Sequence, residues 1–135
     1  MTATGEFLSR WFAILDSDRP SDILDLISDD FQLSIVFSTN GQAQDFSGDR
    51  AALIGYLEQR ERGTRTHHRL SSTVSGSDEL FLGEVRRSGE FEATFVAAGR
   101  IGAHGKLRRL LIGRSPGVAF GDDHAVDDVS IESRN

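Results

Sequence analysis

Two adjacent histidines, His67 and His68, are the clearest candidates for acid–base chemistry in this sequence. They open a segment in which alternate residues share a strand face, so His68 lies on the same face as Leu70 and Val74. If those apolar residues build the core, His68 points inward and His67 outward. An unperturbed imidazole has a pKa of about 6.5, so an inward His68 is predicted to act as a general base or to polarise a carbonyl. The alternatives are a hydrogen-bonded structural histidine, or an inverted strand in which His67 and His68 exchange roles.

A carboxylate and a guanidinium form the second candidate pair. Glu84 and Arg86 are two residues apart, which places them on one face of a strand together with Leu82. In a pocket, burial would perturb the acid and prepare it for proton transfer. On the outer face of a sheet, the same charges would form an ion pair that contributes little stability. The spacing is compatible with both interpretations.

The side chains that could line a ligand cavity are mostly aromatic. Nine phenylalanines accompany one tyrosine and one tryptophan, which leaves few polar groups to orient a ligand. Ordinary core packing is the alternative for any single one of these side chains. Together they predict an apolar interior that binds a small apolar ligand. The candidates for lining it are Trp11, Phe12, Leu15, Phe37, Phe46 and Tyr56.

The composition excludes several classes of chemistry. There are no cysteines, which removes disulfides, thiolate zinc sites, iron–sulfur clusters and cysteine nucleophiles. A net charge of −6 makes the chain a poor partner for nucleic-acid phosphates. No apolar run approaches the roughly 18–20 residues of a membrane span, and no secretory signal is visible. We therefore expect a cytoplasmic protein with no nucleic-acid or membrane partner.

The acidic residues are concentrated at the C-terminal end. Residues 117–135 contain five acids and one base, and Pro116-Gly117 marks the boundary. We predict one domain over residues 1–116 and an acidic tail over residues 117–135. The segment Asp122–Asp128 lacks the ligand spacing and the glycine of an EF-hand, so no metal site is predicted. The sequence carries no phosphate-binding loop and no other motif that implies a cofactor.

The elements that must position these side chains are helices first and strands afterwards. Apolar residues at three- and four-residue steps predict helices, and alternation predicts strands. Asn40-Gly41 is the strongest hairpin signal in the sequence. The predicted helices span residues 6–16, 22–27 and 50–62. The predicted strands are residues 31–37, a short return strand through Phe46, and residues 67–75, 80–87, 90–100 and 106–115.

The arrangement of these elements predicts an α+β fold. The connections between the last four strands are short, which favours an antiparallel meander. The last strand contains continuous Leu110-Leu-Ile112, so both of its faces are covered. We predict a cone-shaped barrel in which a strongly curved antiparallel sheet wraps around three N-terminal helices and leaves a hollow interior.

This order of elements resembles the nuclear transport factor 2-like superfamily, which includes ketosteroid isomerases and SnoaL-like polyketide cyclases. The local matches are Ser28-Asp-Asp-Phe31, Phe46-Ser-Gly-Asp-Arg-Ala-Ala-Leu53, Thr66-His-His68 and Gly105-Lys-Leu-Arg108, within a resemblance that covers about residues 5–115. The resemblance implies a cone-shaped α+β barrel and an apolar pocket between helices and sheet. It also implies homodimers formed through the outer face of the sheet.

The catalytic residues of the superfamily transfer only in part. The aspartate base of ketosteroid isomerases corresponds to Ile35 here, and Asp45, near the expected pocket mouth, is a candidate replacement. SnoaL-like cyclases are similar in placing a histidine where His67 or His68 stands. Their partner aspartate corresponds to the segment Gly99–Ala103, which has no acid. The Arg–Asp pairing of the superfamily's epoxide hydrolases is similar to Glu84 and Arg86 in reversed order.

Two functions follow from the resemblance and the residues together. The first is a SnoaL-like pocket protein that acts on an apolar metabolite as a cofactor-free isomerase, cyclase or dehydratase. His68 would be the base, and Arg86 or a water the electrophile. The second is a non-catalytic ligand-binding or dimeric scaffold module. A histidine that faces the cavity with an acid in hydrogen-bond reach would favour the enzyme, and a purely aliphatic cavity the binding module.

Overall fold

The computed structural model describes residues 6–39, 42–60 and 63–120. The first helix, α1, spans Phe7–Leu15. Apolar side chains at three- and four-residue steps form its buried face, which consists of Leu8, Trp11, Phe12 and Leu15. The helix predicted over residues 6–16 is confirmed, and it is one residue shorter at each end.

A side chain from the sheet holds the start of α1. Glu79 is 3% exposed and accepts hydrogen bonds from the backbone N–H groups of Phe7 and Leu8, at 3.1 and 3.2 Å. These donors have no partner within the helix, and a carboxylate also complements the helix dipole. Burial raises the pKa of Glu79, and the two hydrogen bonds partly offset that rise. The N-terminus of α1 is therefore fixed to the strand that carries Glu79.

The second helix is a 3₁₀ helix, Pro20–Leu26, although the sequence predicts an α-helix over residues 22–27. Pro20 opens it, because a missing N–H costs nothing at the first position of a helix. The backbone becomes extended at Ile27, which leaves only seven residues for the helix. This is long for a 3₁₀ helix, since most such runs have three or four residues, and the segment buries Ile23 and Leu26.

The helix α2 spans Arg50–Gln59 and begins as predicted. Asp49 caps it by accepting a hydrogen bond from the N–H of Ala52 at 3.1 Å. Leu53 is buried, whereas its neighbour Ile54 is exposed. The prediction extends the helix to residue 62, but the helix ends where the backbone of residue 60 becomes extended, and residues 61–62 lie outside the described residues.

Six strands form a single sheet in the described part of the chain. They are β1 (Ile27–Thr39), β2 (Gln42–Gly48), β3 (Arg65–Ser75), β4 (Asp78–Arg87), β5 (Glu90–Ile101) and β6 (Leu107–Ser115). Their order across the sheet is β2-β1-β6-β5-β4-β3. The predicted antiparallel meander of β3 to β6 is confirmed, and β1 pairs with β2 in antiparallel fashion. The predicted Asn40-Gly41 turn lies outside the described residues.

Two features of the sheet differ from the prediction. β1 runs parallel to β6, so the sheet is mixed rather than wholly antiparallel. The sheet is curled but not closed, because β2 and β3 are free edges rather than neighbours. The parallel partners are separated by most of the chain, and no local pattern reveals such a pairing. The α+β class with a curved sheet and three helices is confirmed, while the barrel is an open one.

One face of the sheet, called here the inner face, packs against the helices and forms the core. Phe31, Phe95, Leu107 and Leu110 are its most buried large side chains on the strands. Gly83 makes this packing possible, because a Cβ atom there would lie 2.6 Å from Cζ of Phe95. The opposite face is called the outer face.

The helices of the described residues include none with both the length and the apolar composition needed to cross a bilayer.

Candidate active site

A cavity of about 250 Å³ lies between the inner face of the sheet and the two α-helices. Its floor is apolar and is built from α1 and four strands: Trp11, Phe12, Leu33, Val85, Phe95 and Leu110. The curvature of the sheet keeps these side chains from meeting at the centre. The interior therefore contains a hollow with an apolar floor.

The predicted lining residues divide into two groups. Trp11, Phe12, Leu15 and Tyr56 line the cavity. Phe46 does not line it, and its ring packs against that of Tyr56 with centroids 5.5 Å apart. Phe37 is half-buried on β1 and also lies outside the lining.

Asp16 and His67 form a hydrogen-bonded pair in the wall of this cavity. Asp16 directly follows α1, and His67 lies on the inner face of β3. Nδ1 of His67 is 2.8 Å from Oδ1 of Asp16, and the backbone N–H of His67 donates to Oδ2 at 2.6 Å. The two side chains are 15% and 13% exposed, so water competes little for these bonds. The two contacts fix both the carboxylate and the imidazole.

The ring of His67 is also held by two aromatic neighbours. Phe12 stacks on it with centroids 4.8 Å apart, and Phe95 meets it edge-on at 5.4 Å. A carboxylate only accepts hydrogen bonds, so the contact with Asp16 places the imidazole proton on Nδ1. Nε2 has no hydrogen-bond partner among the described residues. A neutral His67 therefore presents an unused lone pair, as a general base does.

Three arginines line the same cavity: Arg60, Arg65 and Arg114. Nε of Arg65 donates to Oε1 of Glu92 at 2.7 Å, and Arg114 contacts the same oxygen. The hydrogen bond from Arg65 and the neighbouring positive charges lower the pKa of Glu92, so this acid is ionised at neutral pH. Arg60 donates from Nη1 to the carbonyl of Leu15 at 2.9 Å. The cavity thus combines an apolar floor with a cationic wall.

The structure inverts the orientation predicted for the two histidines. His67 pairs with Val85, a residue of the cavity, while His68 pairs with Glu84 on the opposite side. His68 therefore lies on the outer face, with Nε2 2.7 Å from Oγ1 of Thr66. Burial, followed by the positive charge of Arg86, lowers the pKa of His68. The predicted inward orientation of His68 is wrong.

A β-bulge explains this error. The register of β3 against β4 shifts between Arg69 and Ser71, so the alternation of faces reverses at this point. Val74 and His68 share a parity in the sequence but lie on opposite faces of the strand. The prediction assumed an unbroken alternation from His68 to Val74.

The other predicted catalytic residues lie away from the cavity. Glu84 and Arg86 are on the outer face of β4, where Nε of Arg86 donates to Oε2 of Glu84 at 2.5 Å. This is the ion pair of the alternative interpretation, although Glu84 is only 5% exposed. Asp45 is exposed on β2, opposite Val36. A molecule in the inner cavity could exchange protons with none of the three.

Sequence reasoning missed Asp16 and the arginines. The two members of the pair are 51 residues apart, and no spacing rule connects them. Arg114 did carry a signal, since it shares parity with Ile112, whereas the alternation assigned His67, and with it Arg65, to the outward face. A charged residue that continues an inward alternation indicates a polar wall within an apolar interior.

Among the described residues, no group of three or more histidine, aspartate and glutamate side chains is arranged to hold a metal ion. The acidic segment Asp122–Asp128 lies outside the described residues.

Solved structures share the arrangement of helices and curled sheet. A proposed isomerase of the SnoaL-like family from Agrobacterium tumefaciens superimposes with a TM-score of 0.64 at 8% identity, over 80% of this chain and 93% of its own. A proposed ketosteroid isomerase from Kribbella flavida gives 0.63 at 14% identity, over 98% and 96%. A nuclear transport factor 2-like protein of unknown function from Cytophaga hutchinsonii gives 0.60 at 8% identity, over 86% and 93%. The protein has the nuclear transport factor 2-like fold.

Within this fold, the cavity between helices and sheet carries the candidate site. No protein-family model and no curated protein matches the sequence. The similarity to the solved structures, at identities of 8% and 14%, therefore describes the fold, and the activity must be argued from the residues of the cavity.

Proposed function

We propose that this protein is a cofactor-free enzyme that moves a proton within a small apolar molecule, with His67 as the general base. The observation that carries the proposal is the Asp16–His67 pair in the wall of an apolar cavity. The role assigned to His68 from the sequence passes to His67, because only His67 lines the cavity.

The proposed step begins at Nε2 of His67. Its lone pair removes a proton from a carbon or hydroxyl group of the bound molecule, and the ring becomes an imidazolium. Asp16 stabilises this cation through the hydrogen bond at Nδ1. Return of the same proton to another atom completes an isomerisation, and its transfer to a departing hydroxyl completes a dehydration. A positioned base contributes roughly 10²–10⁴-fold to such a reaction.

The apolar floor supports the same conclusion. Trp11 and Phe95 remove water from the neighbourhood of the imidazole, which strengthens electrostatic interactions in the cavity. The two rings that hold His67 reduce the rotation needed to reach a reactive orientation. An isomerase, a cyclase and a dehydratase share these requirements, so the proposal covers the class and does not choose among its members.

Hydrogen–deuterium exchange tests this proposal without knowledge of the natural substrate. 2-Tetralone is a two-ring ketone with acidic hydrogens next to its carbonyl, and its exchange in D₂O can be followed by NMR. We expect the protein to accelerate this exchange and His67→Gln to lower the acceleration by about 10²-fold or more. The matched control is His68→Gln, which changes the next residue on the outer face and should retain the exchange rate within about twofold.

Equal rates in His67→Gln and in the unmodified protein would contradict the proposal. If the ketone nevertheless stabilises both proteins against heat, the cavity binds ligands without catalysis, which is the second function considered from the sequence. Circular dichroism of each variant shows whether a lost rate reflects a lost fold.

We also propose that the outer face of the sheet binds a second copy of the chain. Two neighbouring rows of residues cross its strands there and consist mostly of apolar side chains. One row includes Leu80, Ala98 and Leu111, and the next includes Leu82 and Val96. Val96 is 56% exposed and Leu111 60%, and such contiguous apolar surfaces mark interaction sites. The resemblance to dimeric members of the superfamily points to the same face.

Light scattering coupled to size-exclusion chromatography tests whether the outer face binds a second copy of the chain. We expect a dimer for the unmodified chain and a monomer for Val96→Lys, because a charge would be buried without a partner. Ile54→Lys on α2 is the matched control, since Ile54 is also an exposed aliphatic residue but lies outside the sheet. A monomeric unmodified chain, or an unchanged dimer in Val96→Lys, would contradict this assignment.

A further inference from the structure

Two side chains of the cavity wall, Arg60 and His67, are attached to the same end of α1. Nη1 of Arg60 donates to the carbonyl oxygen of Leu15, the last residue of the helix, at 2.9 Å. Asp16, the next residue, accepts hydrogen bonds from the ring and from the backbone N–H of His67, at 2.8 and 2.6 Å. A guanidinium and an imidazole that line one cavity are therefore held by consecutive residues of the chain.

The partner of Arg60 distinguishes it from the other two arginines of the cavity. Arg65 and Arg114 both contact the carboxylate of Glu92, which opposes their positive charge. Arg60 instead contacts a backbone carbonyl, which has no net charge, and within the described ranges it forms no ion pair. A guanidinium has five N–H groups, so the contact with Leu15 orients Arg60 and leaves N–H groups for a ligand.

The contact between Arg60 and Leu15 also has a purely structural interpretation, since a guanidinium at the end of a helix stabilises the last carbonyl groups. Arg50 provides the comparison, because its Nη1 donates to the carbonyl of Leu24 at the same distance of 2.9 Å. Arg60 lines the cavity, whereas Arg50 does not. The two arginines thus share a structural contact and differ in their access to the cavity.

The size of the cavity brings a ligand into contact with both candidate groups. The cavity holds about 250 Å³, below the roughly 300–1,000 Å³ that is common for ligand sites. A molecule of one or two rings fills most of such a space and contacts residues throughout the lining. Such a ligand can meet His67 and Arg60 at the same time.

We propose that Arg60 is the second catalytic residue of this site and stabilises the negative charge that forms on a carbonyl oxygen of the ligand. The inference rests on the proposed function, since it supplies the partner that the base His67 needs. Nε2 of His67 removes a proton from the carbon next to the carbonyl, and the electron pair of that C–H bond moves onto the carbonyl oxygen. An N–H of Arg60 donates to this oxygen, and the enolate then takes a proton back from Nε2 to complete the step.

This assignment also answers which group acts as the electrophile. The sequence analysis offered Arg86 or a water, but Arg86 lies on the outer face of β4, paired with Glu84. Arg60 carries the same guanidinium and lines the cavity. It stays protonated at neutral pH, so it stabilises the oxyanion without giving up a proton. The expected ligand is therefore a compact molecule with a carbonyl group and an acidic C–H next to it.

The exchange of 2-tetralone separates a catalytic from a structural Arg60. We expect Arg60→Gln to lower kcat/KM by about 10²-fold, mainly through kcat, because the charge on oxygen develops only in the transition state. Arg60→Lys should recover part of this loss, since it retains the positive charge. The matched control is Arg50→Gln, which removes the equivalent contact with a carbonyl and should retain the rate within about twofold.

2-Naphthol gives a readout that a structural role would not change. Its anion has the shape and charge of the enolate of 2-tetralone, and its absorbance reports its ionisation. At a fixed pH below the pKa of free 2-naphthol, the ionised fraction of the bound molecule should be at least about fivefold higher in the unmodified protein than in Arg60→Gln. Arg50→Gln should match the unmodified protein.

An unchanged exchange rate in Arg60→Gln, an unchanged ionised fraction, or no binding of 2-naphthol would overturn the assignment. Equal losses in Arg60→Gln and Arg50→Gln would overturn it as well, because both contacts would then only stabilise the helices. If Arg60→Gln fails to fold, Arg60→Met, which retains the aliphatic part of the side chain, decides the question by the same two measurements.

Tyr56→Phe tests a rival donor, since the hydroxyl of Tyr56 belongs to a residue of the same lining. We expect this variant to keep the high ionised fraction of bound 2-naphthol. A low fraction in Tyr56→Phe together with a high fraction in Arg60→Gln would transfer the role to Tyr56 and overturn the assignment to Arg60.

The failure of this inference is distinguishable from the failure of the proposed function. An exchange rate that depends on His67 but not on Arg60 would retain the base and reject the oxyanion donor. An exchange rate that is independent of His67, together with an ionised fraction that depends on Arg60, would reject the base and retain the guanidinium as a binding group for an anionic oxygen.

Discussion

His67 and His68 are consecutive residues of β3, and the sheet places them in opposite environments. On the inner face, His67 is held by Asp16 and by two phenylalanine rings beside an apolar cavity. On the outer face, His68 contacts Thr66 and lies opposite Glu84. Both faces therefore offer an imidazole with a nearby carboxylate, and residue type does not distinguish them.

The two faces differ in what the rest of the fold brings to them. The helices cover the inner face, and the end of α1 supplies Asp16 at hydrogen-bond distance from Nδ1. On the outer face, Glu84 is engaged by Arg86, its neighbour two residues along the strand. A strand supplies only the histidine, and the packing of a distant helix decides whether that histidine has the geometry of a base.

The largest expected effect concerns stability and compares two phenylalanines of β5. Phe95 is 2% exposed and packs against Phe12, Phe81 and His67, whereas Phe91 is 38% exposed. We expect Phe95→Ala to lower the free energy of unfolding by about 3–5 kcal/mol, through lost contacts and a new cavity. Phe91→Ala should cost less than about 1 kcal/mol. Urea denaturation measures both values, and similar costs would show that the inner face is not the core.

The next largest effect concerns the exchange rate of 2-tetralone and compares the two carboxylates that lie near histidines, Asp16 and Glu84. Asp16→Asn replaces an acceptor at Nδ1 by an amide that can also donate, which permits the tautomer with its proton on Nε2. We expect the exchange rate of 2-tetralone to fall by at least about tenfold. Glu84→Gln on the outer face is the control and should leave that rate unchanged. Equal losses in the two variants would remove the distinction between the faces.

A smaller effect concerns pH and compares two acids that the fold treats in opposite ways. Burial raises the pKa of Glu79, so its contribution to stability is complete below the unfolded pKa of about 4.5 and is lost as pH rises. The stability difference between the unmodified chain and Glu79→Gln should therefore shift in favour of the unmodified chain as the pH is lowered from 7. Thermal unfolding over this range measures the shift, and a pH-independent difference would contradict it.

Glu92 should show the opposite sign. Its pKa is lowered by Arg65 and the other guanidinium groups, so its contribution is present above about pH 4.5 and is lost as the pH falls through the lowered value. As the pH falls, the stability advantage of the unmodified chain over Glu92→Gln should shrink, whereas its stability advantage over Glu79→Gln should grow. The same unfolding series tests both, and slopes of equal sign would show that one of the two environments is misassigned.

Local sequence patterns predicted most of the elements and few of their contacts. Alternation located the strands from β3 to β6, and the apolar stripe located α1, because both patterns reflect burial along a short segment. The parallel pairing of β1 with β6 was not predictable in this way, since it joins segments that are distant in the chain. The bulge between Arg69 and Ser71 was invisible as well, and it reversed the predicted facing of the histidines.

The cavity lining also contains residues that local patterns predict and residues that depend on contacts between distant segments. Trp11, Phe12 and Leu15 share one helical face, and periodicity found them. Phe37 and Phe46 are also large apolar residues, but both lie outside the lining. No sequence pattern around Asp16 indicates a functional residue. Only the packing of α1 against β3 brings its carboxylate to His67.

The helix α1 is fastened to the sheet at both ends by acids, with Glu79 at its first turn and Asp16 beyond its last. The length of α1 and its rotation about its own axis therefore determine the position of the Asp16 carboxylate. One residue inserted between these ends would turn Asp16 by about 100° and advance it by about 1.5 Å, away from the imidazole. Single substitutions in the cavity preserve this alignment, so diversification of the lining is compatible with a fixed base, whereas changes in the length of α1 are not.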